Sequence, residues 1–466
     1  MATKLNALDL AFLSLEKQTT PVNVASLVVL EVPDGYTGNY CRDLLDKLER
    51  QPAGPPFNLK LSSDSVASLP SWVEDENFDI HYHVRHSALP KPGRMKDLLE
   101  LVSRLHSRLL DKGRPLWEFH LIEGLENNQI AIYMKMHHAS IDGMGGVELM
   151  ENCLSLSADD EVVAPWTGKR ERNKLPAVQS PSLKDSAGKL VKQVSKSSQL
   201  VQDLSKMFVE QGLKAVGFKN ASAPAPFTAP KSLFNVPITG ARRFAINTLS
   251  LAEVKEVGKQ AGATVNDMVL AACSGALRRY MMEKQNIPKK SLIATVPVSV
   301  RQLNRAGNQI TYVMANLATD EGDALKRLAK IGESTQSAKQ EVQEVSIEAA
   351  TSFAVVAQGL VAAANQLNIT SMMPPSANVT ISNVPGPRQP LYFGGAKMLA
   401  TYPLSVLIDG QSLNITVVSY CDTIGFGFLA CRDTIPDVDK LAGYVGDAFE
   451  DIKNRLALNE LLGKPL

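Results

Sequence analysis

The chain has 466 residues, of which 44% are hydrophobic and 21% charged, an ordinary globular balance with ample apolar material for a buried core. Its formal net charge of +1 gives no reason to expect a polyanionic ligand, so nucleic acid is not an expected partner. The cysteines are odd in number, widely spaced and without a C-x-x-C pair, which argues against a disulfide framework or a thiolate zinc site and favours a reducing cytosol.

Two stretches bear on membranes. The N-terminal sequence MATKLNALDLAFLSLEKQTT lacks a basic segment followed by a sustained apolar one, so we expect no secretory signal. The most apolar internal run, AATSFAVVAQGLVAAANQL, is rich in small residues and is interrupted by Gln358, short of the roughly 20 strongly apolar residues that a spanning helix needs. We therefore expect a cytoplasmic protein whose contact with membranes is peripheral.

Strand-like and helix-like segments alternate in the first half. The segment NVASLVVLEV predicts a strand and MKDLLELVSRLHSRLLDKG predicts a helix, so we expect mixed α/β (α+β) structure within one unit. A later strand runs into the histidines of IAIYMKMHHASIDGMGG, residues 130–146, and GVELMENCLSLS after it predicts a helix. From Ala164 to Pro181 the sequence becomes polar and loop-like.

A linker then separates two predicted domains. Residues 182–220 have apolar positions at helical spacing with lysines between them, and ASAPAPFTAPKS after them cannot continue a helix. We place an N-terminal domain at residues 1–180, a helical and proline-rich linker at 181–238 and a C-terminal domain at 239–466. The second domain ends in a hairpin-like pair of strands, SLNITVVSY and IGFGFLACR.

The motif HHASIDG is the strongest functional signal. If the strand continues through it, His138 shares the face of Met136 while His137 lies on the opposite face, which argues against one metal ion held by both histidines. Gly143 and two further glycines make a helix through Asp142 unfavourable, so the aspartate is expected in a tight loop that folds back under the histidine. An unperturbed histidine, with a pKa of about 6.5, suits proton transfer near neutral pH. The alternative is a pair of purely structural histidines.

This motif resembles the HHxxxDG signature of the CoA-dependent acyltransferases, shared by chloramphenicol acetyltransferase, plant BAHD acyltransferases and peptide-synthetase condensation domains. Further motifs are similar, in order, to the bacterial wax ester synthase/acyl-CoA:diacylglycerol acyltransferases: FDIHYHVRHSALPKPG, PLWEFHLIEGL, TVNDMVLAACSGALRRYM, PVSVR and SNVPGP. The resemblance covers nearly the whole chain. It implies a two-domain fold like chloramphenicol acetyltransferase with an active-site tunnel between the domains. It also implies acyl-CoA as co-substrate, a fatty alcohol or diacylglycerol as acceptor, and no other cofactor or metal.

The TVND motif has a structural and a functional interpretation. Thr264 fits a helix N-cap and Asp267 the third helical position, which is a capping box that serves stability alone. By resemblance Asn266 and Asp267 form the ND motif near the active site, where the Asn266 amide positions substrate or stabilises the oxyanion.

The remaining motifs also have two interpretations. SNVPGP predicts a strand that ends in a proline-glycine turn, with Ser382 or Asn383 as a second candidate donor to the oxyanion. Trp117 of PLW is expected to lie in the core and support the histidine strand. Arg301 is either a surface arginine or, by resemblance, the partner of Asp142 from the other domain.

The mechanism we expect is direct transfer without an acyl-enzyme, with His138 as general base, Asp142 holding the loop and His137 as a supporting neighbour. Residues 182–220 form either a solvated helix packed on the body or a lipid-surface helix whose lysines meet anionic headgroups. Because the acceptors reside in lipid, we expect association with the inner membrane face or lipid inclusions. Two other functions stay open: a condensation-type enzyme with carrier-bound donors, and a non-catalytic lipid-binding protein on the same scaffold. The acceptor preference, acyl length and oligomeric state are left open.

Overall fold

A computed structural model of the chain describes residues 3–5, 7–62, 70–140, 149, 152–168, 224–299, 310–343 and 374–462. The chain divides into two compact units. The first unit comprises Met1–Gly188, Pro385–Val406 and Val418–Cys421, and the second comprises Lys189–Val384, Leu407–Val417 and Asp422–Leu466. The mixed α/β, two-domain architecture expected from the sequence is confirmed.

The strands, in chain order, are β1 (Thr3–Lys4), β2 (Asn23–Glu31), β3 (Leu59–Leu61), β4 (Ser71–Glu74), β5 (Val84–Ala88), β6 (Trp117–Leu125), β7 (Gln129–His137), β8 (Arg242–Ser250), β9 (Ile293–Ser299), β10 (Ile310–Asn316), β11 (Val379–Val384), β12 (Tyr392–Phe393), β13 (Ala396–Leu404), β14 (Leu413–Tyr420) and β15 (Thr423–Cys431). The helices are α1 (Ala7–Leu15), α2 (Tyr40–Glu49), α3 (Ile80–His83), α4 (Met95–His106), α5 (Leu251–Gln260), α6 (Val265–Glu283), α7 (Ala324–Gln343) and α8 (Val438–Leu461), with one turn of 3₁₀ helix at Pro165–Thr167.

The first unit is built on a six-stranded sheet in the order β12-β13-β2-β7-β6-β5. Neighbouring strands are antiparallel except for the parallel pair β5 and β6. Strands β6 and β7 form a hairpin whose turn holds Asn127 and Asn128 at φ of 60° and 55°, a left-handed conformation that asparagine tolerates better than most residues. Since β12 and β13 pair onto β2, part of the C-terminal half of the chain belongs to the first unit.

The domain bounds drawn from the sequence stay a prediction. Most of the predicted linker falls on residues 169–223, which lie outside the described part of the chain. The predicted helix over residues 146–157 is described only in part: residues 149, 152 and 153 are helical, whereas residues 154–157 are not, and Ser155 pairs with Tyr392 in an isolated bridge.

The two faces of β7 differ sharply. Ile130, Ile132, Met134 and Met136 pack into an apolar cluster with Trp117 of β6. Trp117 is only 2% exposed, which confirms its predicted burial, and its Nε1 donates to the Phe57 carbonyl at 2.8 Å. The other face carries Tyr133, Lys135 and His137, all buried, so that this strand is covered on both sides.

The second unit has a six-stranded sheet in the order β10-β9-β11-β14-β15-β8, which confirms the pairing predicted for the last two strands. Helices α6 and α8 supply much of its core. Helix α6 begins at the predicted capping box: the Thr264 side chain accepts from the Asp267 N–H, and the Asp267 carboxylate accepts from the Thr264 N–H at 3.0 Å. Among the described residues, no helix combines the length and apolarity needed to cross a bilayer.

Candidate active site

The histidine motif begins where β7 ends. His137 is the last residue of the strand, and its carbonyl accepts both the Ser140 N–H at 2.9 Å and the Ser140 hydroxyl at 2.7 Å. These two bonds close a turn over residues 137–140. The turn redirects the chain immediately after the strand, while the His138 N–H still donates to the Val22 carbonyl next to β2 at 3.0 Å.

The regular strand ends at His137, one residue before the predicted end, although the His138 N–H continues the pairing with the segment before β2. The alternation of faces holds up to Met136 and His137, because both lie in regular strand. The face on which the His138 side chain lies stays a prediction. Hydrophobic periodicity gives no information about a turn formed by one serine side chain.

His137 is fully buried and both nitrogens of its ring are engaged. Its Nδ1 accepts the Ala139 N–H at 3.0 Å, so the ring proton belongs on Nε2 when the imidazole is neutral. Nε2 lies 3.3 Å from Oε1 of Glu16, and both side chains are almost completely excluded from solvent, at 0% and 2% exposure. This arrangement fixes the ring and leaves no exposed nitrogen, and the supporting role of His137 stays a prediction.

Glu16 is the residue that sequence analysis missed. It follows α1 directly and its second oxygen lies 3.0 Å from Nζ of Lys112. Burial raises the pKa of the Glu16 carboxyl, but the hydrogen bonds and charges of His137 and Lys112 outweigh burial and hold that pKa below its usual value. Glu16 is thus a carboxylate between two partners. The sequence offers only a single acidic residue after an apolar helix, 121 positions from His137.

His138 has a different environment. Its ring stacks on that of Phe12 in α1, with centroids 4.0 Å apart and planes inclined by 23°. The side chain is only half-buried, in contrast to His137. Of the two histidine side chains, that of His138 is therefore the more exposed. Asp142, Gly143 and the glycines after them lie outside the described residues, so the proposed holding role of Asp142 stays a prediction.

A buried charged cluster supports the strand that carries these histidines. Lys135 is 0% exposed, and its Nζ lies 2.9 Å from Oε2 of Glu118 on β6 and 3.1 Å from the Leu105 carbonyl at the end of α4. The same carboxylate contacts His120 and Arg85, each at 3.3 Å. Burial raises the pKa of Glu118, but these hydrogen bonds and positive charges lower it to about 2. The cluster ties β6, β7 and α4 together.

The TVND motif has a structural role in the second unit. One oxygen of Asp267 accepts from Thr264, and the other accepts the Thr335 hydroxyl of α7 at 2.7 Å. The carboxylate thus joins two helices, which fits its proposed place as a structural partner. Asn266 is half-buried at the start of α6, and its part in positioning substrate stays a prediction.

The SNVPGP motif ends a strand as predicted. Ser382 and Asn383 are half-buried residues of β11, and the strand ends at Val384. Gly386 lies against the Ser419 backbone, where an added Cβ would collide with the carbonyl oxygen, and its N–H donates to Ser419 Oγ at 3.1 Å. The glycine is thus explained by packing, whereas the oxyanion role of Ser382 stays a prediction. Arg301 lies outside the described residues.

The fold of this chain is shared by solved structures of low sequence identity. The chain is similar in fold to the starter condensation domain of rhizomide synthetase, with a TM-score of 0.55 and 17% identity over 98% of this chain and 94% of that one. At that identity the likeness shows the fold alone.

The family follows from closer matches. The model of the wax ester synthase/diacylglycerol acyltransferase catalytic domain matches residues 5–269, and that of the WS/DGAT C-terminal domain matches residues 306–453. The chain belongs to the wax ester synthase/diacylglycerol acyltransferase family, and it is an O-acyltransferase.

The similarity to individual relatives extends over nearly the whole length of both chains. The chain is 38% identical to the O-acyltransferase WSD of Acinetobacter baylyi, over 98% of each chain. It is 37% identical to a Mycobacterium tuberculosis protein whose name is "probable diacylglycerol O-acyltransferase", over 97% of this chain and 98% of the other. The solved wax ester synthase/diacylglycerol acyltransferase from Marinobacter aquaeolei VT8 matches with a TM-score of 0.78 and 32% identity, over 98% of this chain and all of that one.

Proposed function

We propose that this enzyme transfers a long-chain fatty acyl group from acyl-CoA to the hydroxyl of a fatty alcohol or of diacylglycerol, giving a wax ester or a triacylglycerol. Membership of the family and the names of the relatives support this choice of acceptors. Long alkyl chains also suit binding by burial, since each methylene removed from water contributes about 0.8 kcal/mol.

The assignment of the base rests on the contrast between the two histidines. His137 has one ring nitrogen occupied by the Ala139 N–H and the other facing Glu16, and it is fully buried. His138 is half-buried in the turn that follows. A general base must come within hydrogen-bond reach of the proton that it removes, and only an accessible ring can do so. This contrast favours His138 as the base and His137 as its support.

The proposed reaction has two chemical steps. His138 takes the proton of the acceptor hydroxyl as the alcohol oxygen attacks the thioester carbonyl, which forms a tetrahedral oxyanion. The oxyanion collapses, the carbon–sulfur bond breaks, and the departing CoA thiolate takes the proton from the imidazolium. The histidine returns to its starting state without a covalent acyl-enzyme. Asn266, or alternatively Ser382, donates to the oxyanion, and Arg301 pairs with Asp142 to hold the loop.

The acceptors also require contact with lipid. A fatty alcohol or diacylglycerol resides in a membrane or a lipid inclusion, so we place the enzyme peripherally on an anionic lipid surface, on the cytoplasmic side. The absence of a spanning helix among the described residues is compatible with such attachment. The lysine-bearing segment at residues 182–220, which lies outside the described residues, is the proposed contact.

Product analysis tests this function. The purified enzyme is given a long-chain acyl-CoA together with a fatty alcohol and diacylglycerol in one mixture, and then the same acyl group on a carrier protein with the same acceptors. We expect wax ester or triacylglycerol from the CoA donor and little product from the carrier. Product from the carrier-bound donor alone would favour a condensation-type enzyme, and no ester from either donor would favour a non-catalytic lipid-binding protein. The His138→Ala protein is the control for background transfer.

A further inference from the structure

Three side chains with metal-binding groups meet at the far end of the first unit's sheet. Cys41 lies in the first turn of α2, His86 lies in β5 and Glu123 lies near the end of β6. The histidine turn is bonded to the opposite end of β6, where the Leu116 carbonyl accepts from His137. Seven residues of strand between Leu116 and Glu123 correspond to about 23 Å. The trio is therefore separate from the candidate active site.

The local fold brings the three side chains together. Val84 and Leu121 belong to the apolar cluster that also contains Cys41 of α2. His86 and Glu123 lie two residues beyond them, and residues two apart in a strand share a face. The pairing of β6 with β7 also shifts between Ile122 and Leu125, and such bulges redirect side chains.

The distances are those of a cluster of ligands. One potential ligand atom from each side chain lies within 4.8 Å of the other two, and His86 Nε2 is 3.3 Å from Glu123 Oε2. Cys41 is buried at the base of the cluster, with its Sγ within 4.8 Å of the ligand atoms of the other two side chains. The His86 and Glu123 side chains are 35% and 34% exposed, so the cluster has a path to solvent.

We propose that Cys41, His86 and Glu123 bind one Zn²⁺ ion, with water in the fourth position. A thiolate, an imidazole and a carboxylate are the donors that zinc takes in proteins, at about 2.0–2.3 Å, which places tetrahedral ligand atoms about 3.3–3.8 Å apart. The observed cluster needs a contraction of at most about 1.5 Å to reach this geometry. The two partly exposed side chains have the freedom to make that movement.

Binding exchanges a proton for the metal. Zinc binds the thiolate form of cysteine, so binding at Cys41 requires the loss of the thiol proton. When zinc binds, the thiol proton passes to solvent and the sulfur–zinc bond forms. The ion then joins the start of α2 to β5 and β6. It stabilises the first unit and takes no part in acyl transfer.

The competing explanation is a hydrogen-bonded trio without a metal, in which a buried thiol and a partly exposed histidine share one carboxylate. Spectroscopy distinguishes the two. The full-length enzyme is stripped with a chelator and titrated with Co²⁺, which replaces zinc and gives a thiolate-to-cobalt charge-transfer absorption only when sulfur is a ligand. Zinc content and affinity are then measured by elemental analysis after dialysis and by competition with cobalt.

Matched variants sharpen the test. His86→Asn and Glu123→Gln change partly exposed ligands, and Cys421→Ser and His81→Asn are controls at a non-ligand cysteine and a non-ligand histidine of the same unit. We expect one zinc per chain and a loss of affinity of roughly tenfold or more in each ligand variant, with no loss in the controls. At a hundredfold excess over Kd, zinc should raise the Tm of the parent by about 5 °C.

Turnover separates this site from the acyltransferase site. Chelation should leave the rate unchanged at temperatures well below Tm, because the trio lies far from the histidine turn. The proposal is overturned if cobalt gives no thiolate band, or if His86→Asn and Glu123→Gln bind zinc as tightly as the two controls do. Both variants alter side chains near the surface, so we expect them to fold. Their unfolding transitions in the absence of metal, compared with that of the parent, check this.

Discussion

Replacing Glu118 with glutamine should destabilise the strand that leads to the histidine turn. The change keeps the shape of the side chain but removes the negative charge that lies 2.9 Å from Lys135 Nζ, while the lysine remains fully buried. Removing one partner of a buried ion pair costs about 3–5 kcal/mol. The lowered pKa of Glu118 indicates a stabilisation of similar size. Lowering the pKa from 4.5 to about 2 corresponds to about 3 kcal/mol, because each pKa unit is worth about 1.4 kcal/mol.

The destabilisation should depend on pH in a defined direction. Because the pKa of Glu118 is lower in the folded protein, the stabilisation is fully present above its unfolded value near 4.5 and is lost as the pH falls towards 2. The difference between parent and Glu118→Gln should therefore shrink across this range. His120 adds a separate loss in the parent that begins near pH 6.5, because burial lowers the pKa of its ring and its protonation then favours the unfolded state.

Denaturant unfolding followed by tryptophan fluorescence measures the effect, since Trp117 and Trp166 are both buried in the first unit. Glu31→Gln, on the exposed end of β2, is the matched control. A loss at pH 7 no larger than that of the control would refute the argument for the buried pair. Adding Lys135→Met to Glu118→Gln should recover stability, because it removes the uncompensated charge.

Three further predictions concern the site and the lipid surface. Glu16→Gln should lower kcat by about tenfold or more with a smaller change in KM, because it releases the His137 ring that supports the turn. An unchanged kcat would show that the contact between Glu16 and His137 does not position the site. Asp142→Asn and Arg301→Met should each lower stability and rate, with a coupling of about 1 kcal/mol in a double-mutant cycle, whereas strict additivity would exclude Arg301 as the partner. Changing five lysines to glutamine should weaken salt-sensitive sedimentation with anionic liposomes, each lysine contributing about 1 kcal/mol, and should spare activity on a short soluble alcohol. Those lysines are Lys189, Lys192, Lys196, Lys206 and Lys214. Equal sedimentation of parent and variant would place the lipid contact elsewhere.

Local patterns predicted the elements that depend on local interactions. The strand β2, the burial of Trp117 and the capping box of α6 each follow from a few neighbouring residues. Helix α4 was also predicted, but it ends at His106, well before the end of the periodic segment. Contacts with the rest of the fold decide such ends, and periodicity does not encode them.

Contacts between distant segments escaped prediction. Nothing local pairs Glu16 with His137, or returns β13 from the C-terminal half to the edge of β2. The Glu118–Lys135 pair had a usable signal, because opposite charges occur within two consecutive apolar strands. A regular hairpin about the Asn127–Asn128 turn would pair Glu118 with His137, and it is the register shift between Ile122 and Leu125, which the sequence does not reveal, that places Glu118 opposite Lys135.

The turnover of two histidine variants tests the central claim, that His138 is the general base and His137 its support. His138→Ala should lose about 10²- to 10⁴-fold in kcat with thermal unfolding unchanged, the usual contribution of general base catalysis. His137→Ala should lose less in kcat but also unfold at a lower temperature, because it removes one of the two partners of the buried Glu16 carboxylate. Equal losses of kcat in both variants, with unaltered unfolding, would contradict the account.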